Sequence, residues 1–432
     1  MIVVIFVVNI NFNLKTKQMK NSAVMKITLI FLATLLLVFS GCHNEDDVSG
    51  EKQEIKEIVL SEEEKEITEK YSDFAFHLFN QVNLSEKVNN NWIISPYSAS
   101  LVLSTLANGA EGNTLAEIKS VLGINEFAMN EVNLYYRKLS LALPKLDDIV
   151  YLPLLNSIWV NKDVQLHLSF VNACGQYGTE INSLDLRNSN AVNTINDWFV
   201  LHTQNRDMRV VDEIPTNTEM LLASVFVFKS NWKNNFVDFT EKGVFTNEDG
   251  TQAQVKMMNP QLYEALYTSN EYFSIAEFPY GNEAFSMVIL LPNEGKTLSE
   301  SVSNLTASNW MMWNEAMNEE LLQVLLPCFS LDYKKDLGAD LLAMGVKDAF
   351  NSERADFSGI SESSLFLSSF FQACHLKVDE KSTVSESVTI NEMSRYSEPR
   401  PSVPFLVNRP FAFLIKENST GLILFVGKIT EL

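Results

Sequence analysis

The chain has 432 residues, 46% of them hydrophobic and 20% charged, which is enough apolar material for a substantial core. Lys and Arg number 33 against 54 Asp and Glu, a net charge of −21. That balance excludes the basic surface a nucleic-acid partner needs to neutralise phosphates, and it reads first as a solvated, solubilising exterior.

The N-terminus carries "MKITLIFLATLLLVFSGC": a lysine, an apolar run from Ile27 to Phe39, then Ser40-Gly41-Cys42. A run of about 13 residues is short for a membrane span, which needs about 20; it suits the apolar core of a secretory signal. Small-small-Cys at this point resembles a bacterial lipobox, in which Cys42 is lipidated and becomes the first mature residue, although Phe39 stands where leucine is usual. The preceding "MIVVIFVVNINFNLKTKQ" is awkward for export, so the expected start is Met19 or Met25. Residues 1–41 are therefore expected to be a signal peptide. The expected location is the bacterial cell envelope, as an outer-membrane lipoprotein held by the lipid at Cys42 and exposed at the cell surface. Plain secretion and a retained anchor stay open.

Residues 42–59 are polar and Glu-rich and are expected to be a tether that cannot bury a core. An acidic run directly after the lipidated cysteine resembles the surface-export signals of some Gram-negative lipoproteins; a solvated linker explains it equally well.

The folded part is expected from residue 60 to 432. Ser61–Glu64 forms a capping box, and Ile67, Tyr71, Phe74, Ala75, Leu78, Phe79 and Val82 keep helical spacing after it. Trp92-Ile93-Ile94 is a short strand. Ser95 then caps a helix whose first position is Pro96, where a missing N–H costs nothing. That helix is predicted to end near Gly109, and the next to run from about Thr114 to Gly123. "LNSIWV" and Leu221–Phe228 read as buried strands, and Val192, Ile195, Trp198 and Phe199 space out a helix. "FSMVILLP", "LLQVLLP" and "SLFLSSFFQACHLKV" read as strands, and two apolar runs around Asn418–Gly421 as a hairpin. With no repeat and no internal linker, the pattern is one large α+β domain.

Enzyme signatures are missing. There is no Gly-x-Ser-x-Gly, no phosphate-cradling loop, no His-Glu-x-x-His and no Cys-x-x-Cys. His43, His77, His167, His202 and His375 are scattered without metal-ligand spacing. Cys174, Cys328 and Cys374 sit in apolar contexts and read as small core residues. With Cys42 set aside, an odd number remains, which argues against a disulfide framework. No cofactor, metal or catalytic residue is expected.

One stretch breaks the globular pattern: "VDEKSTVSESVTINEMSRYSEPRPSVPF", Val378–Phe405. Long uncovered segments in compact domains are usually functional or disordered. Thr383, Ser385, Ser387 and Thr389 alternate and would share one face of a strand, with Val384, Glu386 and Val388 on the other. All four are small, so they could enter a sheet above a helix layer without clashes. The flanking Glu380, Lys381, Glu392 and Arg395 look solvated.

From about Tyr71 to Leu432 the chain resembles a serpin. The matching stretches are "NWIISPYSASLVLSTLANGAEGNT", "INDW", "FKSNWKNNF", "VKMM", "FPYGNEAFSMVILLPNEG", "LPCFSLDYKKDLGADLLAMGVKDAF" and "NRPFAFLIKENSTGLILFVGKI". The resemblance implies the serpin fold, an α+β fold that some schemes class as multi-domain. It has three β-sheets, eight or nine helices and an exposed reactive-centre loop, here about residues 380–404. It also implies an inhibitor of serine-type endopeptidases that acts as a suicide substrate. The protease attacks the loop and forms an acyl-enzyme. The cleaved loop then inserts into the central sheet and traps the protease, an established kind of switching transition. A new central strand makes two rows of backbone hydrogen bonds at roughly 1 kcal/mol each. A dozen residues thus supply on the order of 10 kcal/mol, as much as a domain's whole stability. The native state is then a kinetic trap.

Carried over by position, Glu380 matches the glutamate that opens the hinge and Thr383 its small pivot, within a hinge of Glu380, Lys381, Ser382, Thr383, Val384, Ser385, Glu386 and Ser387. The usual spacing places the reactive bond at Tyr396–Ser397. A tyrosine there favours chymotrypsin-like partners. The segment before Asn408 is longer than usual, so Arg395 is an alternative that would suit trypsin-like proteases, and cysteine proteases are a further target class. Arg400 is a poor site because Pro401 follows. The sheet-opening cluster comprises Ser95, Ser98, Ser224, Trp232 and Gln372. Ser382 replaces the usual hinge glycine, "SESV" replaces a run of alanines, and Ser224 and Gln372 stand where Asn and His are common. A monomer is expected. A non-inhibitory serpin serving as a binding or surface protein, and an adhesin or scaffold, remain alternatives.

Overall fold

A computed structural model of the chain describes residues 56–203, 209–236, 239–260, 262–380 and 401–432. In chain order the elements are α1 (Glu62–Ser85), β1 (Trp92–Ile94), α2 (Pro96–Ala107), α3 (Gly112–Leu122), α4 (Met129–Ala142), β2 (Leu154–Asn161), α5 (Leu168–Tyr177), β3 (Thr179–Leu184), α6 (Ala191–Thr203) and β4 (Met220–Phe228). Then come β5 (Thr240–Thr246), β6 (Gln252–Met258), β7 (Tyr263–Ser269), β8 (Phe273–Tyr280), β9 (Phe285–Pro292), α7 (Leu298–Val302), α8 (Ala307–Glu315) and β10 (Asn318–Pro327). The last are β11 (Phe329–Asp336), α9 (Gly338–Met344), β12 (Leu367–Val378), β13 (Val403–Leu406), β14 (Phe411–Glu417) and β15 (Ile423–Ile429).

The first helix forms where its capping box predicts. The Ser61 hydroxyl accepts from the Glu64 amide at 3.2 Å, and the Glu64 carboxylate accepts from the Ser61 amide at 2.8 Å. Its apolar stripe is buried from Ile67 to Val82. Packing begins earlier than residue 60, however. Ile58 is buried, its amide donates to the Ser419 hydroxyl at 2.9 Å, and Lys138 donates to the Val59 carbonyl at 3.1 Å. Residues 56–59 thus belong to the body and not to the tether expected over 42–59, because Ile58 is an apolar side chain with a core to enter.

Helix α2 is buried along its whole length, as expected of a helix in the middle of a core. It ends at Ala107, near the expected Gly109, and α3 starts at Gly112, close to the expected Thr114; α3 closes at Gly123, whose φ of +72° suits the left-handed cap.

The expected three sheets are present, two of them joined. One has five strands in the order β11-β12-β4-β2-β3. The other two share β10. Its first residues pair with β7 of the run β1-β15-β14-β9-β8-β7, its last two pair with β6, and β5 and β13 complete that end. Phe226 of β4 stacks on Phe425 of β15 with ring centres 4.5 Å apart, which locks the five-stranded sheet onto the second.

Candidate functional site

β4 and β12 are direct parallel neighbours at the centre of the five-stranded sheet, in register from Phe370↔Leu222 to Leu376↔Phe228. Both are buried strands rich in Val, Phe and Leu, as parallel neighbours covered on two faces must be. β12 ends at Val378, and the chain passes through Asp379 and Glu380 into residues 381–400. A segment turning back from Glu380 would run antiparallel to both neighbours.

Behind this seam lies a polar network in an otherwise apolar core. Gln372 of β12 accepts from the Ser95 amide at 2.8 Å and donates to the Ser95 carbonyl at 3.0 Å. The Ser95 hydroxyl accepts from the Ser98 amide at 3.1 Å and donates to the Leu424 carbonyl at 2.8 Å. The Ser98 hydroxyl donates to Asn156 of β2 at 2.9 Å. The first turn of α2 therefore straddles the seam, bound to β12 on one side and to β2 on the other. Ser224 lies in register between Gln372 and Asn156, yet its buried hydroxyl has no hydrogen-bond partner among the described residues.

Four of the five residues named from sequence thus meet at one level of the sheet. The fifth, Trp232, sits at the end of the seam. Its indole N–H donates to the Asp379 carbonyl at 3.0 Å, and its ring stacks on Tyr280 at 4.4 Å. Sequence reasoning missed Asn156. The available signal was an asparagine in the buried-strand run "LNSIWV", where an unpaired amide would be costly.

Two expectations about the hinge change. Glu380 is not solvated: it is only 7% exposed and pairs with Lys256 of β6. Cys328 is not a core residue but a half-buried one whose thiol donates to the other Glu380 oxygen at 3.6 Å. The cause is the close approach of the sheets: the Cys328 amide donates to the Lys256 carbonyl at 2.8 Å, which brings the lysine and the thiol to the same carboxylate. The hydrogen bond from Lys256 holds the Glu380 carboxyl below its usual range, and Glu380 in turn raises Lys256. Burial, then the Glu380 charge, pushes the Cys328 thiol up to about 12. Such a thiol is a poor nucleophile.

The rest of the expected hinge (Lys381 to Ser387), the reactive bond Tyr396–Ser397, the alternative Arg395 and the lipidation residue Cys42 lie outside the described residues. The chain returns at Pro401. Ser402 accepts from Gln323 at 2.9 Å, and β13 runs parallel to β10.

The family model for serpins, described as serine protease inhibitors, matches residues 69–432. The chain belongs to the serpin family. This serpin is 30% identical to human leukocyte elastase inhibitor over 375 residues, covering 83% of this chain and 97% of that protein. It is 32% identical to human thyroxine-binding globulin over 372 residues, covering 83% and 88%. Among solved structures it resembles the native state of the thermophilic serpin tengpin, with a TM-score of 0.79 at 27% identity over 88% of this chain and 96% of that one. A protein named as an elastase inhibitor and one named as a thyroxine-binding globulin thus both stand among its relatives. The fold of this serpin is that of the family.

Proposed function

We propose that this serpin inhibits serine proteases as a suicide substrate: the protease is trapped as an acyl-enzyme when the loop, cleaved at Tyr396–Ser397, enters the seam between β4 and β12. The observation that carries the reading is the direct parallel pairing of those two strands, with the hinge at their end. Parallel pairing is slightly weaker per residue than antiparallel. A strand returning from Glu380 would replace one parallel interface with two antiparallel ones. Thr383, Ser385 and Ser387 supply the small inward face that such a strand needs, and Tyr396 favours chymotrypsin-like proteases, with Arg395 and trypsin-like ones as the variant. Cysteine proteases belong to the same proposal.

A second reading, a non-inhibitory binding serpin cleaved as an ordinary substrate, is supported by Ser382 and Glu386 in the hinge and by the resemblance to thyroxine-binding globulin. The two readings separate on one experiment. The protein from residue 43 onward is mixed with chymotrypsin or trypsin, run on a denaturing gel, and its released C-terminal peptide is sequenced by mass spectrometry. The inhibitory reading expects a boiling-resistant band at the summed mass and a peptide beginning at Ser397. Cleavage with every protease and no such band favours the carrier. Thr383→Arg should stop insertion at its first step and convert trapping into plain cleavage; trapping at full stoichiometry by this variant would refute the hinge assignment.

For location we infer a lipid anchor at Cys42 in a bacterial outer membrane, with the domain facing outward and monomeric. Radiolabelled palmitate incorporation that is lost in Cys42→Ala, together with protease accessibility on intact cells, tests it. Unlabelled wild-type protein in the medium would mean plain secretion.

A further inference from the structure

The seam has a second face, opposite the polar network. On it Val225 and Val227 of β4 and Ala373 of β12 are buried in a small apolar cluster. Side chains alternate between faces along a strand, so His375 and Lys377 of β12, and Lys229 just beyond β4, share this face. The pairing sets His375 level with Val227 and Leu376 level with Phe228. One step further, Lys377 stands level with Lys229, where the chain still runs extended and bridges Tyr151. Cover ends between these two levels. Val227 is buried and the His375 side chain is 16% exposed, whereas the Lys377 side chain is 60% exposed and Lys229 is exposed as well. Two lysines thus flank the open end of the seam. Lys377 pairs with Asp379 at 2.7 Å, the Lys229 Nζ stands 5.5 Å from the centre of the Tyr151 ring, and His375 Nδ1 lies 2.6 Å from Asp332.

We propose that Lys229 and Lys377 form a receiving site for the Glu386 carboxylate of this chain's own segment 381–400, so that this acidic residue guides the entering strand instead of obstructing it. The site rests on the inhibitory reading and deepens it. With Thr383, Ser385 and Ser387 toward the helix layer behind the seam, alternation brings Val384, Glu386 and Val388 to the front. Two-residue loops are the commonest hairpin connections. A return through Lys381 and Ser382 sets Thr383 opposite Glu380 and, counting along both strands, Glu386 opposite Lys377. A four-residue loop over 379–382 sets Glu386 opposite His375 instead, with Lys377 as its diagonal neighbour. Opposite side chains in a sheet stand about 5 Å apart at Cβ, close enough for a carboxylate and an ammonium group to meet. On the other side of the new strand lies the β4 edge, with Lys229 at the level of Lys377. Deeper along the same face the flanking residues are Val225, Val227 and Ala373, where a carboxylate would be costly to bury. The charge at Glu386 therefore fixes how far the strand enters as well as where it starts. Exposed ion pairs of this kind change an equilibrium by about two- to fivefold, and salt weakens them.

The test uses a fluorescent synthetic peptide with the sequence Thr383–Ser394, incubated with the uncleaved protein from residue 43 onward, with binding read by anisotropy. No protease is needed. The same peptide carrying Glu386→Gln should bind about two- to fivefold more weakly. Lys377→Met and Lys229→Met in the protein should each weaken the wild-type peptide by a similar factor and leave the Glu386→Gln peptide little changed. A peptide with Glu386→Lys should regain affinity on protein carrying Lys377→Glu, and high salt should narrow every difference. Equal binding of the wild-type and Glu386→Gln peptides would overturn the receiving site while leaving strand insertion intact. Failure of both peptides to bind would refute insertion itself, and the site with it.

Discussion

Gln372 grips Ser95 with both ends of its carboxamide, accepting from the Ser95 amide and donating to the Ser95 carbonyl at 2.8 and 3.0 Å. It ties the strand beside the seam to the start of the most buried helix among the described residues.

Gln372→Ala should therefore leave the buried Ser95 amide unmatched, while the Ser95 carbonyl keeps its bond from the Ala99 amide at 3.1 Å. An unmatched group costs about 1–3 kcal/mol, so the midpoint of urea unfolding should fall by the equivalent of about 1–3 kcal/mol. Gln372→Glu keeps the acceptor but buries a charge against the Ser95 carbonyl, so at pH 7 it should lose at least as much stability as alanine. A loss under about 0.5 kcal/mol in Gln372→Ala would mean that water replaces the amide and that the contact contributes little.

Ser224 offers the opposite case. Its hydroxyl is buried and unpartnered among the described residues, so removal takes away a desolvation cost and no bond. Ser224→Ala should be neutral or more stable by up to about 1 kcal/mol. A drop of more than that in the same urea titration would reveal a hydrogen bond to an ordered water.

The Lys256–Glu380 pair has a defined pH window. Glu380 lies below 4.5 in the folded protein. Its contribution is therefore complete above the unfolded value and declines as pH falls through the lowered folded one. Lys256 lies above 10.5, so its part holds below that value and is lost as pH rises through the folded one. The difference in melting temperature between wild type and Lys256→Met should stay flat from about pH 5.5 to 9.5 and close in acid below about pH 4. A difference that changes between pH 6 and 8 would assign the effect to another group.

Cys328 reports on the same carboxylate. With its thiol near 12, alkylation by iodoacetamide at pH 8 should be slow. Glu380→Gln removes the facing anion, lowers the thiol pKa and should raise the rate by up to about tenfold, the factor carried by one pKa unit. Cys174 and Cys374 are buried and shifted upward, so peptide mapping should find the added label at Cys328 alone. An unchanged rate would show that burial by itself protects the thiol.

Short-range order was legible in the sequence. The stripe from Ile67 to Val82, the Ser95-Pro96 start of α2 and the turn at Asn418–Gly421 are written in neighbouring residues, because helix periodicity, capping and turn chemistry act over a few positions. The family resemblance named Ser95, Ser98, Ser224 and Gln372 as one cluster, and these residues do lie together beside the β4–β12 seam. Their partners did not follow. Ser98 binds Asn156, 58 residues away, and Glu380 binds Lys256, 124 residues away. Such pairings depend on which strands pack across a sheet junction, and no local pattern encodes that. The same holds for Ser224, whose residue type promises a bond that none of the described residues supplies, and for Glu380, whose charge suggested solvent until a lysine from another sheet was placed beside it. Composition and periodicity determined that this chain builds buried strands and amphipathic helices. Only the tertiary structure decided which polar groups are satisfied across the seam, since burial makes each unmatched group costly and long-range packing alone selects its partner.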